Sequence, residues 1–193
     1  MTRQYRTYQH VICPIDFSKT SRAALRYAAV IARRAKGRIT VLAVNDPLLA
    51  SAAAAAAYDT ARLAADTNKE MQRFVRRTVG TEGLDVRFAL ALGHPVREIE
   101  KAVARLGADL VVMGTHGLRG ASKWFFGSTT EGVLRGTKVP VLAVPPMPAR
   151  RRRDAQGDAL SAWPGDTVLA PIELGSQAGA DARAAAGIAR SFG

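Results

Sequence analysis

The chain is 193 residues long, 48% hydrophobic and only 6% aromatic, enough for one domain with a sizeable core and somewhat long for one small α/β unit. A single cysteine, Cys13, excludes an internal disulfide framework. No apolar run approaches a membrane-spanning helix, and Met1-Thr-Arg-Gln-Tyr-Arg lacks an apolar signal core, so a cytoplasmic protein without membrane contact is expected. The formal charge is +12, with 22 Lys and Arg against 11 Asp and Glu in residues 1–149. That charge reads as spread over helix faces. Without an aromatic-interleaved basic stripe or a DNA-binding motif it argues against specific nucleic-acid recognition, while leaving low-salt attraction to polyanions and steering of ATP.

His10 to Ile15 reads as a short apolar strand. Lys19 to Lys36 has helical periodicity, with Ala23, Ala24, Tyr27, Ala28 and Ile31 on one side, Ser18 as N-cap and Gly37 as the stop. Cys13, inside the first strand, reads as a small buried hydrophobe rather than a redox thiol. Arg38 to Val44 is a second strand. A loop with Pro47 follows, and the alanine run Ala52 to Ala57 opens a long helix to about Val79. Leu84 to Leu92 is a third strand, Pro95 to Leu106 a helix with His94 in the loop before it, and Asp109 to Met113 a fourth strand. Thr129 to Arg135 is helical, and Val139 to Val144 is the fifth strand. Strands alternating with helices predict an α/β fold: an open, parallel, doubly wound sheet with helices on both faces and right-handed crossovers. Ligands in such sheets lie beyond the carboxyl ends of the strands, where the strand order switches.

The most informative segment follows the fourth strand: Gly114-Thr-His-Gly117, then nine residues, then Gly127-Ser128. Glycines let the backbone turn and approach a ligand closely, and a helix N-terminus presents free N–H groups to an anion. Ser128 could cap that helix or offer its hydroxyl to the same anion. The spacing is neither the Walker nor the dinucleotide fingerprint. His116 has no second His, Cys or carboxylate at metal-ligand or triad spacing, and reads as a loop histidine bonded to backbone or phosphate. Arg119 and Lys123 could reach a polyphosphate tail or be solvated. Trp124-Phe-Phe126 reads as packing of the loop on the domain. No general base is evident.

The stretch Gly114-Thr-His-Gly-Leu-Arg-Gly-Ala-Ser-Lys-Trp-Phe-Phe-Gly-Ser-Thr-Thr-Glu-Gly-Val-Leu-Arg135, ending in Val139-Pro-Val-Leu-Ala-Val-Pro145, resembles the C-terminal signature of the universal stress protein family. Val11-Ile-Cys-Pro-Ile-Asp-Phe-Ser18 is similar to that family's first strand and turn, and Gly93-His-Pro-Val-Arg-Glu-Ile99 to its third strand–helix junction. The resemblance spans about residues 8 to 146. It implies strand order 3-2-1-4-5, with the switch between strands one and four. By the same resemblance Asp16 would accept from an adenine amine or a ribose hydroxyl, with capping of the next helix as its alternative role. Pro14 and Val44 would lie against the base, and Met113 and Gly114 would flank base or ribose. His116, Gly117, Gly127, Ser128 and Thr129 would serve the phosphates, and Thr130 could instead support the helix start. The implied ligand is ATP, with Mg2+ as its companion. The implied partner is a second copy, or a tandem domain, pairing through the last strand, 139–144.

Beyond the domain at 1–147, residues 148–166 read as a basic and polar linker containing Arg150 to Arg153. Val168-Leu-Ala-Pro-Ile-Glu-Leu-Gly175 then repeats the pattern of Val11 to Ser18. At an offset of 157, Arg183, Ala185, Ala186, Ile188, Ala189 and Arg190 fall on Arg26, Ala28, Ala29, Ile31, Ala32 and Arg33. Residues 167–193 therefore resemble a strand–helix start of a second such domain, with Glu173 in place of Asp16. A tandem protein truncated early in its second domain is expected, with a functional extension as the alternative. The expected function is an ATP-binding stress-response module with nucleotide as bound effector and no catalytic residues. The alternatives are a nucleotide-free interaction module and a weak ATP hydrolase.

Overall fold

The computed structural model describes residues 8–45, 47, 51, 60–116 and 127–146, and in the C-terminal stretch 178, 179, 182, 183, 185 and 186. In chain order the elements are β1 (His10–Ile15), α1 (Lys19–Ala35), β2 (Arg38–Asn45), α2 (Thr60–Val79), β3 (Asp85–Leu92), α3 (Pro95–Leu106), β4 (Leu110–Gly114), α4 (Ser128–Gly136) and β5 (Val141–Val144). The strands form one sheet of order β3-β2-β1-β4-β5, every neighbouring pair parallel. This is the expected doubly wound architecture. The alanine run at 52–57, the loop 117–126, the linker 148–166 and the repeated strand at 168–175 lie outside the described residues. The six described residues beyond 146 are helical.

Alternation along the strands divides the core into two layers, as side chains of a strand point to opposite faces in turn. Val11, Cys13, Ile15, Ile39, Val41, Ala43, Leu110 and Val112 pack with Ala24, Leu25 and Ala28 of α1 and Met71 and Val75 of α2. Ile12, Leu42, Val111 and Met113 turn the other way, against Ile99, Ala102 and Val103 of α3 and Val133 of α4. The near-continuous apolar runs of β1, β2 and β4 follow from burial on both faces. The small side chains Ala23, Ala24 and Ala28, all predicted for one side of α1, are buried. Cys13 is fully buried as predicted, and burial pushes its thiol far above the ordinary range.

Several boundaries differ from expectation by a residue or two, and three of them have clear local reasons. The last strand starts at Val141 rather than Val139 because Pro140 has no N–H to give the ladder; its carbonyl instead accepts from Val111 N–H at 3.0 Å. Leu84 belongs to a turn, its N–H donating to Thr81 O at 3.2 Å. The left-handed residue closing α1 is Lys36, φ 50°, not Gly37. Gly37 has a different duty, since a Cβ there would stand 2.6 Å from Gln9 O. Ser18 is the N-cap of α1 as expected, its Oγ accepting from Ser21 N–H at 3.1 Å.

The charge is not evenly spread, which corrects the expectation from composition. The layer of α1 and α2 carries ten Lys and Arg against two acids. The layer of α3 and α4 carries four against three. Helical periodicity puts the cations of α2 outward, while Arg22, Arg26 and Arg33 of α1 are part-buried; only the sheet decides which helices share a face.

Candidate functional site

β1 and β4 are neighbours at the centre of the sheet. The chain leaves β1 toward the α1 layer, while α4, the next described element after β4, packs in the opposite layer. The elements that follow the two strands therefore lie on opposite faces of the sheet, and sheets of this kind take ligands in a crevice at the carboxyl ends of the strands, where the strand order switches.

On the β1 side, Asp16 directly follows the strand, and its Oδ1 accepts from Ser18 N–H at 3.1 Å. The carboxylate thus braces the turn that leads into α1, whose cap is Ser18 rather than Asp16, and Asp16 is part-exposed. Phe17 takes φ 62° in this turn and packs edge-on against Phe74, ring centroids 5.6 Å apart. Pro14, on β1, and Val44, near the end of β2, share the sheet face of Leu42 by the alternation of their strands, and both are part-buried. Met113 lies on that same face, but it is 4% exposed and belongs to the core beneath α3 and α4. Its side chain is core, and only its backbone lies at the crevice rim.

On the β4 side the backbone is held by a set of threonines. Thr115 N–H donates to Val144 O at 2.9 Å, and Gly127 N–H to Thr115 O at 2.7 Å. The Thr130 hydroxyl donates to Gly114 O at 2.8 Å, the helix-start role weighed for it. The Thr20 hydroxyl, from the first turn of α1, donates to His116 O. A Cβ on Gly114 would stand 2.9 Å from Thr20 Cβ, so this glycine is needed where α1 and β4 meet. Sequence reasoning missed Thr20, because its partners are about a hundred residues away and nothing local signals them.

Gly127 is the N-cap of α4, with no side-chain cap. Ser128 is therefore the first helical residue rather than the cap, because the bond from Gly127 N–H to Thr115 O already fixes the chain before the helix. Ser128 is exposed and Thr129 part-exposed. The first N–H groups of any helix have no partner inside it, so this first turn offers donors and a partial positive charge at the crevice. His116 lies on the same side. Its Nδ1 is 2.8 Å from Thr115 Oγ1, while its Nε2 is buried with no hydrogen-bond partner among the described residues. Gly117, Arg119, Lys123 and Trp124-Phe-Phe126 lie outside the described residues. Among the described residues no cluster of three or more His, Cys, Asp or Glu could hold a metal ion, and no helix is long and apolar enough to cross a membrane.

A parallel sheet of order 3-2-1-4-5, with a brace of threonines and an uncapped helix start beyond its central strands, defines a doubly wound α/β protein whose strand order switches between β1 and β4. The chain belongs to the universal stress protein family, whose sequence profile matches residues 7–145. It is 27% identical over 139 residues to a universal stress protein of Methanocaldococcus jannaschii, covering 71% of this chain and 82% of that one. Among solved structures it is similar to the universal stress protein UspA from Lactobacillus plantarum, at 26% identity and a TM-score of 0.58, covering 72% of this chain and 99% of that one. A universal stress protein solved in complex with cAMP shares the fold at 24% identity and a TM-score of 0.53, covering 74% of this chain and 100% of that one.

Proposed function

We propose that the chain is a cytoplasmic stress-response module that binds ATP in the crevice between β1 and β4, with the nucleotide as a bound effector rather than a substrate. The observation that carries this reading is the uncapped first turn of α4 beside the exposed Ser128, set at the switch point of the sheet.

The phosphates would meet the N–H groups of Ser128 and Thr129, the Ser128 hydroxyl, the backbone of Gly127, and Gly117 from the intervening loop. Asp16 would accept from a ribose hydroxyl or the base amine through whatever acceptor capacity its turn leaves. Pro14 and Val44 would offer a part-buried apolar wall to the base, and Met113 and Gly114 their backbone. Mg2+ would arrive with the nucleotide, coordinated by its phosphates, as the described residues form no acidic cluster. No side chain described at the crevice pairs a nucleophile with a base, so turnover is expected to be slow or absent. Residues 167–193 are proposed to be the start of a second domain of the same kind, and β5 the edge through which two such domains pair.

Calorimetric titration of the purified chain with ATP tests the reading. Micromolar binding, weakened about tenfold by Ser128→Ala, supports the helix-start site. No binding by a folded parent refutes it and leaves an interaction module. Release of ADP or phosphate at more than a trace rate would instead make the chain a hydrolase.

A further inference from the structure

The charge asymmetry between the two helical layers is unrelated to the crevice, which lies at the carboxyl ends of the strands. On α2, a rotation of about 100° per residue places Arg62, Lys69, Arg73, Arg76 and Arg77 within an arc of about 100°. All five are exposed. The arc lies opposite Met71, Phe74 and Val75, which are buried against the sheet. Along the axis the stripe runs about 22 Å at 1.5 Å per residue. Its one acid, Asp66, is 3.8 Å from Lys69, and Glu70 stands at its margin.

Arginines of α1 tie this helix in place. The Arg22 guanidinium lies 4.5 Å over the Phe74 ring and donates to Thr78 Oγ1 at 3.0 Å. Arg33 donates to Val79 O at 2.9 Å and to Glu82 O at 3.2 Å. The basic half of α2 therefore runs beside a helix with five cations and no acid. Lys19, Arg34 and Lys36, at the ends of α1, are exposed as well.

We propose that the outward face of α2, with the ends of α1, is a docking surface for the phosphate backbone of a nucleic-acid duplex, bound without reading its bases. Four of the five cations in the stripe are arginines, whose planar forks match phosphate oxygens bidentately. The stripe length corresponds to roughly six base pairs at 3.4 Å each. An anionic membrane fits less well, because interfacial helices bury an apolar face in lipid. The exposed large hydrophobics among the described residues are Leu92 and Leu134, on neither α1 nor α2. The same lack of an apolar or aromatic anchor disfavours a protein partner.

The test is fluorescence anisotropy of a labelled mixed-sequence DNA duplex of about 20 base pairs, titrated with the full chain between about 50 and 200 mM salt. Three proteins are compared: the parent, Arg73→Ala/Arg76→Ala/Arg77→Ala on the stripe, and Arg97→Ala/Arg105→Ala/Arg135→Ala on the other layer. The parent is expected to bind at low salt with a log–log slope of about −3 to −5. The stripe variant should lose about 3 of that slope and at least about tenfold in affinity, and the control should stay within about twofold. A Gln series at the same positions repeats the comparison if an Ala series melts early. Absence of parent binding, or equal loss in both variants, overturns the proposal. So does stripe-dependent binding to anionic phospholipid vesicles with none to the duplex.

Discussion

Replacing Gly114 by Ala should destabilise the fold measurably even though it adds only one methyl group. The new Cβ would stand 2.9 Å from Thr20 Cβ, 3.0 Å from the Thr20 carbonyl carbon and 3.1 Å from Thr20 Oγ1. Two of these atoms belong to a buried side chain and one to the backbone of a helix that packs over β1 and β4, so no flexible tip can swing aside. Either α1 or the end of β4 must move. Overpacking of this kind costs about 1–3 kcal/mol. Displacing α1 also strains the Thr20-to-His116 hydrogen bond, adding about 0.5–1.5 kcal/mol. The sum is about 1.5–4.5 kcal/mol, which in a domain of this size lowers Tm by roughly 3–18 °C. Thermal melting followed by circular dichroism measures it, with Gly107→Ala as the companion. Gly107 has φ 63° and nothing within 4 Å of a Cβ, so its substitution carries backbone strain alone, about 1–2 kcal/mol. A Gly114→Ala protein that melts within about 2 °C of the parent would refute the close-contact argument. The result also bears on the ligand: a fall in nucleotide affinity in this variant cannot be read as a lost contact until its fold has been shown intact.

Thr130→Val keeps the shape of a buried side chain but leaves Gly114 O without its 2.8 Å donor; a loss of about 1–3 kcal/mol is expected from urea unfolding. Ser128→Ala, at an exposed position that caps nothing, should leave Tm within about 1 °C while weakening ATP binding, a split that separates ligand contact from stability. The hydrogen bond from Arg38, followed by the pull of Arg38 and Arg87, holds the Asp85 carboxyl below its ordinary value. A carboxyl held low stabilises the fold above the ordinary carboxylate range and loses that contribution as pH falls through its own lowered value. Carboxyl NMR titration should find Asp85 below the free-residue value, and Arg38→Ala should return it upward. The Cys13 thiol should resist a soluble disulfide reagent in the native protein and react on unfolding, because burial on both faces of the sheet excludes reagent and disfavours the thiolate; rapid native labelling would contradict the burial.

Much of this protein could be read directly from its residues because its signals are local or periodic. Apolar runs bounded by turn residues marked five strands, and the spacing of Ala23, Ala24, Ala28 and Ile31 marked the buried side of α1. The order of motifs carried the resemblance that the family match then bore out, and with it the strand order now seen. The positions of Asp16 and Gly127-Ser128 at strand and helix ends followed from the same pattern. What needed the tertiary structure depends on residues far apart in the chain. Thr20 meets Gly114 and His116 only because β1 and β4 are adjacent, so their pairing left no mark in either segment. Gly37 is required by Gln9, and Gly114 by Thr20, contacts that turn chemistry alone does not reveal. Met113 moved from ligand rim to core because strand alternation points it beneath α3 and α4. Ser128 ceased to be a cap because a bond to Thr115, at the end of β4, fixes Gly127 first. The basic helices became one surface for the same reason: periodicity turns each helix outward, but the parallel crossovers decide which helices share a side of the sheet.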